Sequence, residues 1–153
     1  MIIEHNTDVE VVLQKIQQYG ALCFRATSAG PEVLLITTRR TKRWMIPKGW
    51  PISGLKPRRV AKLEAWEEAG VIGRVKKKCF GSFIYAKVLN DGSEVRPNVG
   101  VFLIKVRRMR KRFPEMAERE AVWLAPAAAA GRVTESDLKK LLLKFARLSE
   151  CAT

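Results

Sequence analysis

Gly49-Trp-Pro-Ile-Ser-Gly-Leu-Lys-Pro-Arg-Arg-Val-Ala-Lys-Leu-Glu64-Ala-Trp-Glu67-Glu68-Ala-Gly70-Val71 is the stretch that decides the fold. It opens on a glycine turn and passes Pro51, Gly54 and Pro57 before it turns acidic. Proline suits a first helical turn and glycine suits a stop, so the spacing predicts a helix from Pro57 to Ala69. On that helix Glu64, Glu67 and Glu68 stand at i, i+3 and i+4 and share one face. Ala61, Ala65 and Ala69 form a small-residue stripe that would let the helix lie close against a sheet. Three carboxylates on one face suit a hard divalent cation such as Mg²⁺, which takes oxygen ligands.

On the N-terminal side, residues 21–27 and 33–38 read as strands joined by a Gly30-Pro31 turn. Residues 44–46 read as a short third strand ended by Pro47. Residues 7–18 fit a helix, with Thr7 and Glu10 at capping-box spacing, and fit a strand as well. On the C-terminal side, residues 71–87 read as one long strand broken near Gly81. Asn90-Asp91-Gly92 is a hairpin turn, and residues 99–106 are the returning strand. The basic run 107–112 is expected to follow that strand. Residues 121–124 read as a last short strand. Residues 135–148 read as an amphipathic helix begun by Thr134, with Leu138, Leu141, Leu142 and Phe145 on its buried face. Strands, helix, strands, helix imply a mixed β-sheet covered by helices, an α/β sandwich. Residues 1–153 are expected to form a single domain.

Charge narrows the partners. Lys and Arg number 29 against 15 Asp and Glu, a formal net charge of +14. Such a surplus favours polyanions: nucleic acid, phospholipid headgroups or highly phosphorylated small molecules. Cys23, Cys79 and Cys151 are far apart and odd in number, which fits reduced thiols in a cytoplasmic setting better than disulfides or a zinc site. Neither a signal peptide nor an apolar run of membrane-spanning length is apparent. His5 is the single histidine and lies near a terminus, so histidine chemistry is not expected.

Residues 49–71 resemble the Nudix box. That pattern runs glycine, five residues, glutamate, seven residues, Arg-Glu, an aliphatic residue, any residue, Glu-Glu, any residue, glycine and an aliphatic residue. Gly49, Glu64, Glu67, Glu68, Gly70 and Val71 match it, and Ala65 fills the inner aliphatic position. Leu55 stands in place of the first glutamate and Leu63 in place of the arginine. An arginine at position 63 would form an i, i+4 pair with Glu67. The resemblance implies a Nudix-type α/β/α sandwich with a mixed β-sheet and a pyrophosphohydrolase activity that cleaves phosphoanhydride bonds. It implies Mg²⁺ as the cofactor, with Mn²⁺ a possible substitute. Glu67 and Glu68 would be the main metal ligands, Glu64 a ligand or water-orienting base, and the Gly49 carbonyl a further ligand. An additional acid is expected from the loop before the last strand, Glu118 in preference to Glu120.

Residues 37–49 carry a second cluster. Arg39, Arg40, Lys42 and Arg43 precede the strand that enters the acidic site, and Lys48 adjoins the glycine turn. Arg39, Arg40, Arg43 and Lys48 are the candidate substrate-binding cations, since arginine grips phosphate in two-pronged fashion. The arrangement is similar to the diphosphoinositol polyphosphate phosphohydrolase branch, which also acts on diadenosine polyphosphates. Two other readings stand beside it: a pyrophosphohydrolase of RNA 5′ ends, and a non-catalytic module of the same fold that binds polyanions. Trp50 would flank the substrate or pack. The runs 76–78 and 107–112 are read as solvated cations that discourage strand pairing.

Overall fold

The computed structural model describes residues 16–151; most of the ambiguous segment 7–18 therefore lies outside the described residues. Gln17 and Gln18 begin β1 (Gln17–Thr27), the central strand. Its middle is apolar on consecutive residues, and Ala21, Leu22 and Cys23 are all fully buried. A strand covered on both faces loses polar alternation in this way. It runs antiparallel to β2 (Gly30–Thr37) on one side and parallel to β9 (Asn98–Met109) on the other. Beyond β2 lies β10 (Ala121–Leu124), and beyond β9 lies β5 (Val71–Val75), giving the order β10-β2-β1-β9-β5. Three short pieces attach to this frame: β3 (Trp44–Met45) to β2, β4 (Lys48–Gly49) to β1, and β6 (Gly81–Ile84) to β9.

Helices cover both faces of the sheet. Helix α1 (Pro57–Ala69) has the bounds its proline and glycine signals predict. Ala61, Ala65 and Ala69 are buried against a cluster that includes Ala21, Leu34, Ile36 and Ile104. Gly70 ends the helix with φ 70°, and its N–H donates back to the carbonyls of Ala65 and Trp66. A Cβ at Gly70 would stand 2.5 Å from the Arg110 carbonyl oxygen and from the Phe113 ring, so glycine is required there on two grounds. The opposite face carries α2 (Pro126–Arg132) and α3 (Ser136–Cys151). Leu138, Leu141, Leu142 and Phe145 of α3 pack there with Leu22, Leu35 and Val101. Each fully buried leucine among them contributes about 1.5–3 kcal/mol.

Three expectations need correction. The strand expected over 71–87 is broken near Gly81, but it ends at Ile84 and not at Lys87. It is β5 and β6 laid end to end along β9, separated by an excursion over residues 76–80 that rejoins through the Phe80 N–H to the Val101 carbonyl, 2.8 Å. The returning strand runs to Met109, so Arg107 and Arg108 belong to it instead of following it. The C-terminal helix starts at Ser136, and the alanine-rich α2 before it was not anticipated, because four consecutive alanines carry no amphipathic period. The hairpin turn is present: β7 (Lys87–Val88) and β8 (Glu94–Val95) form a separate two-stranded sheet around Gly92.

Candidate active site

β4 is held against β1 by Tyr19↔Gly49 and Gly20↔Lys48 pairing, and the Ala21 N–H donates to the Pro47 carbonyl at 2.9 Å. This fixes the glycine turn beside the acidic face of α1. A Cβ on Gly49 would collide with the Glu64 carboxyl group, so the missing side chain is what admits that carboxyl. A cavity of about 920 Å³ opens here, between β4, α1, the 38–43 loop, the residues before β7 and the loop before β10.

One wall of the cavity is acidic. Glu64, Glu67 and Glu68 line it from α1, joined by Glu115. Glu68 is 4% exposed, and Glu64 and Glu68 are hydrogen-bonded through their carboxyl groups. Burial, and then the hydrogen bond with Glu64, push the Glu68 carboxyl well above the usual range; the Arg119 guanidinium works against them. Burial likewise raises Glu64. Glu115 was missed in the sequence. The loop before β10 makes one helical turn, with the Met116 N–H bonded to the Phe113 carbonyl and the Glu118 N–H to the Glu115 carbonyl. The Glu115 N–H also donates to the Glu67 carbonyl at 2.9 Å, pinning the loop to α1. That turn sends Glu115 into the cavity. Glu118 is half exposed outside the lining, 3.8 Å from Arg39, and Glu120 is exposed as well.

Arg119 was missed too. Its guanidinium reaches Glu68 at 3.5 Å and Glu115 at 2.8 Å, and donates to the Thr37 carbonyl at 3.0 Å. The i, i+4 spacing of Glu115 and Arg119 was the available signal.

The cavity is lined by cations as well. Arg39, Arg40, Arg43 and Lys48 all line the cavity, as does Lys87 from β7. They are not equivalent. Arg43 is tied down: it pairs with Glu135 at 3.0 Å and donates to the Ala86 carbonyl at 3.2 Å. Arg40 reaches Asn90 at the hairpin tip, 2.6 Å away. The Lys48 ammonium sits 4.4 Å over the Tyr85 ring, whose hydroxyl donates to Gln18 at 2.7 Å. Burial, chiefly, pushes the Lys48 ammonium down to about 8. Trp50, 43% exposed, stands at the cavity rim with Ile52.

Among the described residues no three acidic side chains close into a ready-made cation cage. The donor chemistry nevertheless fits a hard divalent cation. The side-chain ligands on offer are carboxylate oxygens, and the half-buried Glu64 crowded against the buried Glu68 is an arrangement such a cation would relieve.

No protein-family model matches the chain, and no curated protein matches it. Solved structures do match. C. elegans Ap4A hydrolase superposes with a TM-score of 0.65 at 18% identity, over 87% of this chain and 97% of that one. E. coli dihydroneopterin triphosphate pyrophosphohydrolase gives 0.62 at 15% identity, over 86% and 95%. The NUDIX domain of Shewanella oneidensis NrtR, complexed with ADP ribose, gives 0.64 at 12% identity, over 86% of each chain. The chain thus has the Nudix-type α/β/α fold that residues 49–71 imply.

Proposed function

We propose that the protein is a Mg²⁺-dependent pyrophosphohydrolase that cleaves a phosphoanhydride bond in a multiply phosphorylated small molecule. Nucleoside and diadenosine polyphosphates are favoured, with diphosphoinositol polyphosphates as the further substrate class. The observation that carries this reading is that Glu64, Glu67, Glu68 and Glu115 line the same cavity as Arg39, Arg40, Lys48 and Lys87. The ligands named for the structural neighbours, Ap4A, dihydroneopterin triphosphate and ADP ribose, all carry phosphoanhydrides and support the same class.

Phosphoryl transfer calls for positioning and charge neutralisation more than for covalent chemistry. Arg39 and Arg40, both exposed at the rim, take the distal phosphates. Lys48 and Lys87 lie deeper and neutralise oxygens nearer the scissile bond. Glu64, Glu67 and Glu68, with the Gly49 carbonyl, would hold the metal. When bound, Mg²⁺ supplies charge neutralisation and a more acidic attacking water. Glu64, where it is not itself a ligand, would orient that water as a base. Arg119 keeps Glu68 and Glu115 in place.

The test is a substrate panel of Ap4A, nucleoside polyphosphates and diphosphoinositol polyphosphates, run with and without Mg²⁺ on wild type and Glu68→Gln. Metal-dependent turnover, lowered about 100- to 1,000-fold in the variant, is expected. Absence of turnover on the whole panel overturns the reading.

A further inference from the structure

A second recess, of about 380 Å³, lies apart from the catalytic cavity, between α1, the start of β5 and the residues that follow β9. It is lined by Trp66, Val71 and Ile72 and by three cations, Lys62, Arg110 and Arg112. Among the described residues none of the three enters an ion pair. The ordinary roles of surface cations do not account for them. Lys62 serves no helical charge pair, because the positions one turn away on either side are Arg58, Arg59, Ala65 and Trp66. Arg110 and Arg112 lie beyond Met109, the last residue of β9, and so guard no strand edge. No carboxylate lines the recess among the described residues, so the cations are not neutralised from within it.

The basic surface stops at this site. Val71 and Val75 pack in the cluster beneath α1, so Arg74 points to the other face of the sheet. Its register partner Lys105, next to Ile104 of the same cluster, goes with it. The recess is therefore bounded, and its volume is at the small end of the roughly 300–1,000 Å³ range of ligand pockets. An indole beside a valine offers a flat apolar surface, and the three cations offer charge to anionic oxygens. A bare inorganic anion would leave the indole uncovered, an uncharged ring would leave the cations without partners, and a polymer would overrun the space. One aromatic ring carrying phosphate satisfies both chemistries. We propose that the recess is a second ligand site, for a nucleoside mono- or diphosphate, with the ring against Trp66 and the phosphate oxygens on Lys62, Arg110 and Arg112. The site stands independently of the hydrolase reading.

Titration calorimetry with ADP in the absence of Mg²⁺, on the full chain, tests the proposal. Arg39→Glu/Arg40→Glu is the background, because it removes cavity cations that would also take phosphate. ADP should still bind that protein. Adding Lys62→Glu/Arg112→Glu should weaken binding about 10-fold or more. Adding Trp66→Ala instead should weaken it about 10-fold, and Trp66→Phe, which keeps a flat ring, should weaken it less. Inorganic phosphate and adenosine should each bind about 10-fold or more weakly than ADP. A circular-dichroism melt checks that each variant folds, and Lys62→Gln/Arg112→Gln, with the same loss expected, replaces a charge reversal that does not. Loss of ADP binding in the Arg39/Arg40 background assigns the nucleotide to the catalytic cavity and overturns the proposal. So does ADP binding that the Lys62/Arg112 substitutions leave unchanged. Inorganic phosphate bound as tightly as ADP overturns the role of the indole. A protein that hydrolyses nothing on the substrate panel yet binds ADP here fails the functional reading and keeps this one.

Discussion

Arg119 lies 3.5 Å from Glu68, close enough for its guanidinium to bear on a carboxyl that is almost completely buried. It reaches there from the loop before β10 while also holding Glu115 and the Thr37 carbonyl. Position 63 of α1, where the Nudix box has arginine, is leucine. The acidic face of the helix therefore receives its guanidinium from a different part of the chain. Arg119→Ala should lower kcat/KM about 10- to 100-fold and weaken the apparent Mg²⁺ affinity, because Glu115 loses a charged hydrogen-bond donor and Glu68 loses its cationic partner. Arg119→Lys should recover only part, since an ammonium cannot reproduce the planar fork. Adding Leu63→Arg to Arg119→Ala should restore some Mg²⁺ affinity, read as metal-dependent protection in a thermal melt. No change in either background would show that another group already orders these carboxylates.

Glu68 also makes a prediction about stability. Its proton is held more tightly in the folded chain than in the unfolded one, so its contribution is fully present below the ordinary carboxylate range and is lost as pH rises through the raised folded value. At neutral pH the buried Glu68, beside the half-buried Glu64, thus weighs against the fold. Glu68→Gln removes that ionisation and should melt higher than wild type at about pH 7 without metal, by a few degrees for each ~1–2 kcal/mol relieved. The gap should close toward about pH 4. Saturating Mg²⁺ should raise the wild-type Tm and leave the variant nearly unmoved. A Glu68→Gln protein that melts lower than wild type at neutral pH contradicts the account.

Lys48 sets a limit on the alkaline side. Its ammonium, pushed down to about 8 mainly by burial, loses its charge where an ordinary lysine keeps it. A lowered folded value means that the unfolded chain binds this proton more tightly between about pH 8 and 10.5, so stability rises across that window while phosphate grip falls. KM for a polyphosphate should therefore climb above about pH 8 in wild type. Lys48→Arg, which stays charged, should flatten that climb. Bound phosphate will raise the lysine value, so the clearest readout is kcat/KM, which reports the free enzyme.

Much of this fold is legible from punctuation. Pro57 and Gly70 bracket α1 to the residue, and Ala61, Ala65 and Ala69 identify its sheet-facing stripe. The carboxylates of Glu64, Glu67 and Glu68 reach a common cavity because helical spacing is local geometry. What the sequence conceals depends on tertiary placement. Glu118 lies closer in sequence to β10 than Glu115 does, and nothing in composition says which one an irregular turn will aim inward. That choice is made by the Glu115 N–H bonding the Glu67 carbonyl, a contact between segments nearly fifty residues apart. Arg43 shows the same limit: its neighbours in sequence suggest a phosphate ligand, and its partner is Glu135, ninety-two positions away.

That pairing gives Arg43 a different expected phenotype from Arg39 and Arg40. The Glu135 side chain is 7% exposed, and its second oxygen, Oε1, is buried without a hydrogen-bond partner. Arg43 supplies Oε2 with a charged contact and at the same time ties the Ala86 carbonyl, just before β7. Removing it leaves a buried carboxylate unpaired, a change far costlier than removing a solvated charge. Arg43→Ala should lose about 1–3 kcal/mol of stability, discounted because the guanidinium itself is one-third exposed. Arg39→Ala and Arg40→Ala should melt within about 0.5 kcal/mol of wild type and instead raise KM for polyphosphate substrates. Arg43→Ala/Glu135→Gln should recover much of the lost stability, since the variant then buries no uncompensated charge. Chemical denaturation of the three single variants and the double variant measures this directly. Equal stability loss at all three arginines would show that Glu135 is not what holds Arg43 in place.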